Sequence, residues 1–259
     1  MEYISQLLFN KYEMFLLVLT RVSGIFIISP FFSSQNIPNI LKIGFSFILS
    51  ILISVTLDIN IDLKSTTFVV AIAKELMVGL IIGFISYMFF TIFYIMGQLI
   101  DMKIGFGMVN VMDPQHKVQV PLMGNFYYIL AFLILLSING HHIIINAVID
   151  SYEFIPIGKF VFDEDTSFSL INILSKTFAT GFKLAAPIIG IIFLMDLLLG
   201  ILARTIPQMN VFVVGMPLKI FVGLLIISVS IPIFYTITID IFNETVTEIY
   251  NFLKSFIKG

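Results

Sequence analysis

The chain has 259 residues, 59% of them hydrophobic and 12% charged, with a formal net charge of −2 and a mean hydropathy of +1.07. Ionic groups this sparse cannot cover a soluble domain, in which about a quarter of residues are charged, and a net charge close to zero offers no field to gather nucleic acid. The absence of cysteine removes disulfides, thiolate nucleophiles and thiolate metal sites together.

Six apolar segments follow in chain order, at about residues 14–30, 43–57, 68–100, 126–149, 179–203 and 211–239. Crossing the hydrocarbon core as a helix takes about 20 apolar residues. The first segment carries Arg21 near its middle and is followed by Phe31 and Phe32 rather than a small-residue cleavage site. It reads as a retained segment and not a secretory signal. The second is short, with Ser46, Ser50 and Ser54 on one ridge. The third holds Lys74 and Glu75, then Gly79 and Gly83 at four-residue spacing, and is uncharged from 76 to 100.

GQLIDMKIGFGMVNVMDPQHKVQVP (residues 97–121) separates the third segment from the fourth with Gly, Met and Val in place of the usual charges. Glycine permits a tight non-helical path, and the methionine thioether adapts to irregular apolar contacts. From the residues alone, a helix–helix connector that happens to be apolar is the plain reading.

The fourth segment contains SINGHH, which predicts a polar turn at a helix break around Asn139, His141 and His142. Pro187 and Asp196 interrupt the fifth, and Arg204 stands at its end, which Pro207 marks. Pro232 interrupts the sixth. Irregular backbone at membrane depth survives only where protein or a wet cavity supplies its hydrogen bonds. The punctuation therefore predicts helices wrapped by other protein rather than bathed in lipid. Close helix contacts, within the chain or between subunits, are expected at Gly79 and Gly83 and at the looser pairs Gly181 with Ala185 and Ala186 with Gly190.

Residues 150–169 read as a solvated loop. In the last twenty residues Phe242, Val246, Ile249, Leu253 and Phe256 recur at three- and four-residue steps. This is an amphipathic helix for a membrane surface or a partner. Lys and Arg lie on both sets of alternate loops, which leaves orientation open.

Arg21, Lys74, Glu75, Asp196 and Arg204 are costly at membrane depth. Lys74 and Glu75 lie about 100° apart around a helix and face different partners. Ion pairing between helices or subunits is one reading. An ion-coupled secondary transporter built on Lys74, Glu75 and Asp196 is the alternative, although no inverted repeat is visible. The chain has no HExxH, GxSxG, Walker A or GxGxxG motif. Adjacent His141 and His142 diverge on a helix and His116 lies in the Gly/Met stretch, so no enzyme is indicated.

RVSGIFIISPFF (21–32), KELMVGLIIGF (74–84), GQLIDMKIGFGM (97–108), Asp113 with Pro114, NGHH (139–142), SYEFIPIG (151–158) and PQMNVFVVGMPLKI (207–220) form an ordered set. In order and spacing this set resembles the FliR/SctT family of type III secretion export proteins along essentially the whole chain. The resemblance implies an all-α, membrane-associated fold of helical hairpins with broken or kinked helices, part of a helical export-gate assembly. It implies a FliP-like part over residues 1–175, with a plug loop at about 101–121. A FliQ-like hairpin over 176–259 would end in the amphipathic helix.

The same resemblance implies FliP-like and FliQ-like partner subunits, an FlhB-like subunit, and unfolded proteins passing through a pore. The expected location is the bacterial inner membrane at the flagellar basal body, with no cofactor, no metal and no catalysis. Carried onto this sequence, the plug is Gly105, Phe106, Gly107, Met108, Val109, Asn110, Val111 and Met112. The buried charges of the assembly are Arg21, Lys74, Glu75, Asp101, Asp196 and Arg204. Hairpin turn and packing positions are Gly79, Gly83, Pro207, Gln208, Asn210, Phe212 and Lys219. Isoleucine and phenylalanine replace much of the family's small-residue content, a departure that bears on packing.

Overall fold

A computed structural model describes residues 2–34, 37–56, 67–106, 121–206, 208 and 210–256. Every regular element among the described residues is helical. These are α1 (Glu2–Ile28), α2 (Pro30–Ser33), α3 (Asn39–Thr56), α4 (Phe68–Ile104), α5 (Leu122–Ser137), α6 (Gly140–Phe154), α7 (Glu164–Thr205) and α8 (Val211–Ser255). Isoleucine-rich runs are mediocre helix formers in water. In hydrocarbon, however, each backbone N–H and C=O must find a partner within its own segment, and the helix supplies one.

Among the described residues four helices are long and apolar enough to cross a membrane, or five spans if α5 and α6 count as one, the pair being bent by 73° at its break. The break falls where the sequence places it: Asn139 adopts a left-handed φ of 56°, a conformation asparagine tolerates better than most residues. Pro187, Pro217 and Pro232, by contrast, lie inside helices that continue past them. Each removes one N–H from the ladder, and the ladder on either side persists. Asp163 caps α7: its Oδ1 accepts the Thr166 N–H at 2.9 Å and the Thr166 hydroxyl at 2.6 Å. These bonds hold its carboxyl below the ordinary value of 3.8.

The chain forms two compact units, interleaved along the sequence. The first comprises Met1–Met88, Asn139–Ile173 and Asn243–Gly259. Its core joins Leu17, Val22 and Ile25 of α1 with Val78, Ile82 and Ile85 of α4, and with Ala147 and Tyr152 of α6. The α1–α4 approach is close because both sides are glycine. A Cβ on Gly24 would lie 2.9 Å from the Leu76 carbonyl oxygen, and one on Gly79 would overlap the Arg21 carbonyl. The serine ridge of α3 buries Ser46 and Ser50, whose hydroxyls bond to their own helix carbonyls. Phe47 meets Phe15 of α1 edge-on at 5.2 Å.

The amphipathic C-terminal stretch differs from both expectations for it. It continues α8 without a break and docks on its own unit, burying Ile249, Phe252 and Leu253 in the first core. Its Tyr250 hydroxyl donates to Asp150 Oδ2 at 2.5 Å. An apolar helix face is satisfied by any apolar cover, and here the chain provides its own.

The second unit comprises Phe89–Ile138 and Leu174–Phe242. Its centre is aromatic: Phe93 and Tyr127 pack against Phe234 at 5.2 and 5.0 Å, and Phe89 against Phe242 at 5.6 Å. α7 and α8 run antiparallel within it, since Leu199 meets Gly215 while Asp196 pairs with Lys219.

Candidate functional site

Three polar sites stand out, and each ties helices together. In the first unit Arg21 and Glu75 are both fully buried. Arg21 Nε donates to Glu75 Oε2 at 2.7 Å, Nη1 to Ser151 Oγ at 3.0 Å and Nη2 to the Ile155 carbonyl at 2.9 Å. The guanidinium also lies 4.0 Å from the centre of the Tyr152 ring. Glu75 Oε1 accepts the Gly158 N–H at 2.9 Å, and Lys74 Nζ donates to the Gly158 carbonyl at 3.2 Å. Adjacent Lys74 and Glu75, expected to face different partners, thus share Gly158, the lysine through its carbonyl and the glutamate through its amide. Gly158 has φ +76°, which a side chain would strain. Sequence reasoning singled out the charges and missed Ser151, Tyr152 and Gly158 as their partners. The signal was present in SYEFIPIG, where two hydroxyls and a glycine cluster at a helix end.

The second site is in the other unit. Asp101, 5% exposed on α4, accepts the Met123 N–H with both carboxylate oxygens at 3.0 and 2.9 Å and the Gly124 N–H at 3.3 Å. Its own carbonyl accepts the Gly105 N–H at 3.1 Å. α4 ends there, with Gly105 at φ +99°, so Asp101 closes one helix and opens the next. Gly105 and Phe106 are half-buried. Gly107, Met108, Val109, Asn110, Val111 and Met112, with His116, lie outside the described residues.

The third site lies two to three turns from the connection of the α7–α8 hairpin, where Lys219 Nζ pairs with Asp196 Oδ1. The pair borders a cavity of about 440 Å³ lined also by Met102, Gly105, Leu199 and Met216. Asn210 caps α8, its carbonyl taking the Val213 N–H at 3.1 Å. Gln208 is exposed in the turn, and Arg204 is exposed in the last turn of α7. Phe212 belongs to the first turn of α8. Pro207 is outside the described residues. Gly79 and Gly83 face α1, Gly83 within 3.4 Å of the Ile25 Cα if given a Cβ. The rings of His141 and His142, expected to diverge, instead lie with their centres 4.2 Å apart, and Phe31 is 6.1 Å from His141.

Long apolar helices whose internal charges bind other helices define a polytopic helical membrane protein. A family profile described as "Bacterial export proteins, family 1" matches residues 12–245. The flagellar biosynthetic protein FliR of Bacillus subtilis (strain 168) is 36% identical over 249 residues, covering 94% of this chain and 96% of the relative. FliR of Aquifex aeolicus (strain VF5) is 31% identical over 91% of the chain and 92% of its own length. FliR of Escherichia coli (strain K12) is 27% identical over 92% and 90%. The chain belongs to the FliR family of bacterial flagellar export proteins.

Proposed function

We propose that the chain is the FliR-type component of the flagellar type III export gate, in the inner membrane at the basal body. It joins FliP- and FliQ-like subunits, with an FlhB-like neighbour, around a pore for unfolded flagellar proteins, and it has no enzymatic activity. Residues 1–175 act as a FliP-like part and 176–259 as a FliQ-like hairpin. Residues 105–112 stop the pore when it is idle. The observation that supports this reading best is the anchoring of the Gly/Met stretch. α4 ends at Ile104, followed by Gly105 in a backbone conformation suited to glycine, and Pro121 leads into a helix start held by Asp101. An apolar segment tied at its base suits a stopper that yields and reseats. Glu75 and Asp196, on which the transporter alternative rests, are each paired with a cation on another helix.

Removing residues 105–112 leaves assembly intact and makes the complex leak small ions. Conductance of vesicles carrying the purified complex reads this directly, and an unchanged conductance refutes the plug.

A further inference from the structure

We propose that the face of α7 around Lys183 is a docking surface for an apolar helix of another subunit, one that carries an aspartate or glutamate with a hydrogen-bond donor beside it. The inference deepens the export-gate reading, on which it rests for the existence of neighbouring subunits. From Thr177 to Met195 the helix has one charged residue, Lys183. It is exposed, and it makes no hydrogen bond or ion pair among the described residues. Phe178, Phe182, Phe193 and Leu194 around it are each more than half exposed, an apolar surface that water does not favour. Pro187, four residues on, lies inside the helix and has no N–H to donate. The carbonyl of Lys183 therefore loses its donor in the ladder, and one residue presents both an unpaired cation and an open acceptor. Both are costly in hydrocarbon.

No placement of the bilayer removes that cost. Hydrocarbon takes about 20 helical residues. If it begins at Lys183, headgroups reach the ammonium, but the exposed side chains of Leu174, Phe178 and Phe182 stand in water. If it begins at Leu174, Lys183 lies about 14 Å deep, near the midplane. A partner helix satisfies both ends at once, provided that it brings a carboxylate to the ammonium and a donor to the carbonyl. The surface is shaped to admit one. Ala179, Ala186 and Gly190 share the face of Lys183 at three-, four- and seven-residue spacing, and all three are exposed. A Cβ on Gly190 would meet nothing within 4 Å. Small residues let a second backbone come close enough to reach the open carbonyl.

A membrane-permeant carbodiimide joins an amine to a carboxylate in contact with it and adds no spacer, so it reads this pair in the wild-type complex purified from its cells. Digestion and mass spectrometry are expected to show Lys183 linked to an aspartate or glutamate within an apolar helix of another subunit. Lys183→Met strands that carboxylate and lowers recovery of the linked subunit about tenfold or more. Lys183→Arg keeps the charge and retains most of it. On a lipid-facing helix the methionine only removes a costly group, and recovery is unchanged or higher. Absence of a Lys183 link to another subunit, or full recovery with the methionine, overturns the docking surface. The two readings fail separately. If FliP- and FliQ-like subunits co-purify while Lys183 stays unlinked, the surface falls and the export-gate reading stands. If Lys183 is linked to a carboxylate of some other protein and those subunits are absent, the gate reading falls and the surface stands.

Discussion

At the scale of single residues, the Arg21–Glu75 pair shows how this chain tolerates charge. Every donor of the guanidinium that the geometry uses has a partner, and the carboxylate is held by Arg21 and by the Gly158 amide. Removing one member of such a buried pair leaves the other charge uncompensated and costs about 3–5 kcal/mol. Arg21→Met and Glu75→Gln are therefore expected to lower the thermal stability of the purified complex sharply and to abolish motility. Arg21→Met combined with Glu75→Leu removes both charges and loses less than either single change. Recovery is partial, because Ser151, the Ile155 carbonyl and the Gly158 amide lose their partners. If the double variant is as unstable as the sum of the singles, the two residues do not act as a pair. Arg21→Lys is not a mild change either, since an ammonium cannot reach three acceptors in the planar fork that the guanidinium fills.

At the scale of elements, glycine decides which helices touch. A methyl group on Gly79 meets the Arg21 carbonyl, whereas one on Gly44 meets nothing within 4 Å. Gly79→Ala pushes α1 from α4 and costs about 1–3 kcal/mol through overpacking. Gly44→Ala gains about 0.5–1 kcal/mol from helix propensity. Thermal unfolding of the purified protein separates the two, and equal effects contradict the close α1–α4 contact. The small-residue spacing that marks Gly79 was readable from the sequence; that its partner is α1 of the same chain was not, because spacing does not name a neighbour. Similar reasoning explains the C-terminal stretch, whose apolar steps were plain but whose cover was not. The break near Asn139 was legible from its turn residues. Helix continuity through Pro187, Pro217 and Pro232 was not, since proline signals a lost bond and not the strength of the rest. Asp101 entered only among the charges carried over with the resemblance, and its partners are backbone amides, which leave no trace in side-chain identity.

At the scale of the molecule, burial is uneven. The most apolar window of α4 is 67% buried, while those of α7 and α8 are 22% and 17%. Phe178, Phe182, Phe193 and Ile201 of α7 and Phe221 and Val229 of α8 are more than half exposed. Within the second unit the exposed large hydrophobics of α7 run from Leu174 to Leu202, about 40 Å of helix against about 30 Å of hydrocarbon, which favours protein cover along part of that face. Gly190 and Gly200 sharpen this into a test, because a side chain at either position meets nothing in the chain itself within 4 Å. Helices in a membrane approach one another through small residues. Gly190→Leu and Gly200→Leu are expected to leave the isolated protein in detergent as stable as before. Under the proposed assembly, the same side chains are expected to collide with a neighbouring subunit and to reduce recovery of the proposed FliP- and FliQ-like partners by affinity purification. Full recovery with both leucines in place assigns this face to lipid. Loss of partners together with loss of monomer stability returns the effect to the chain's own packing.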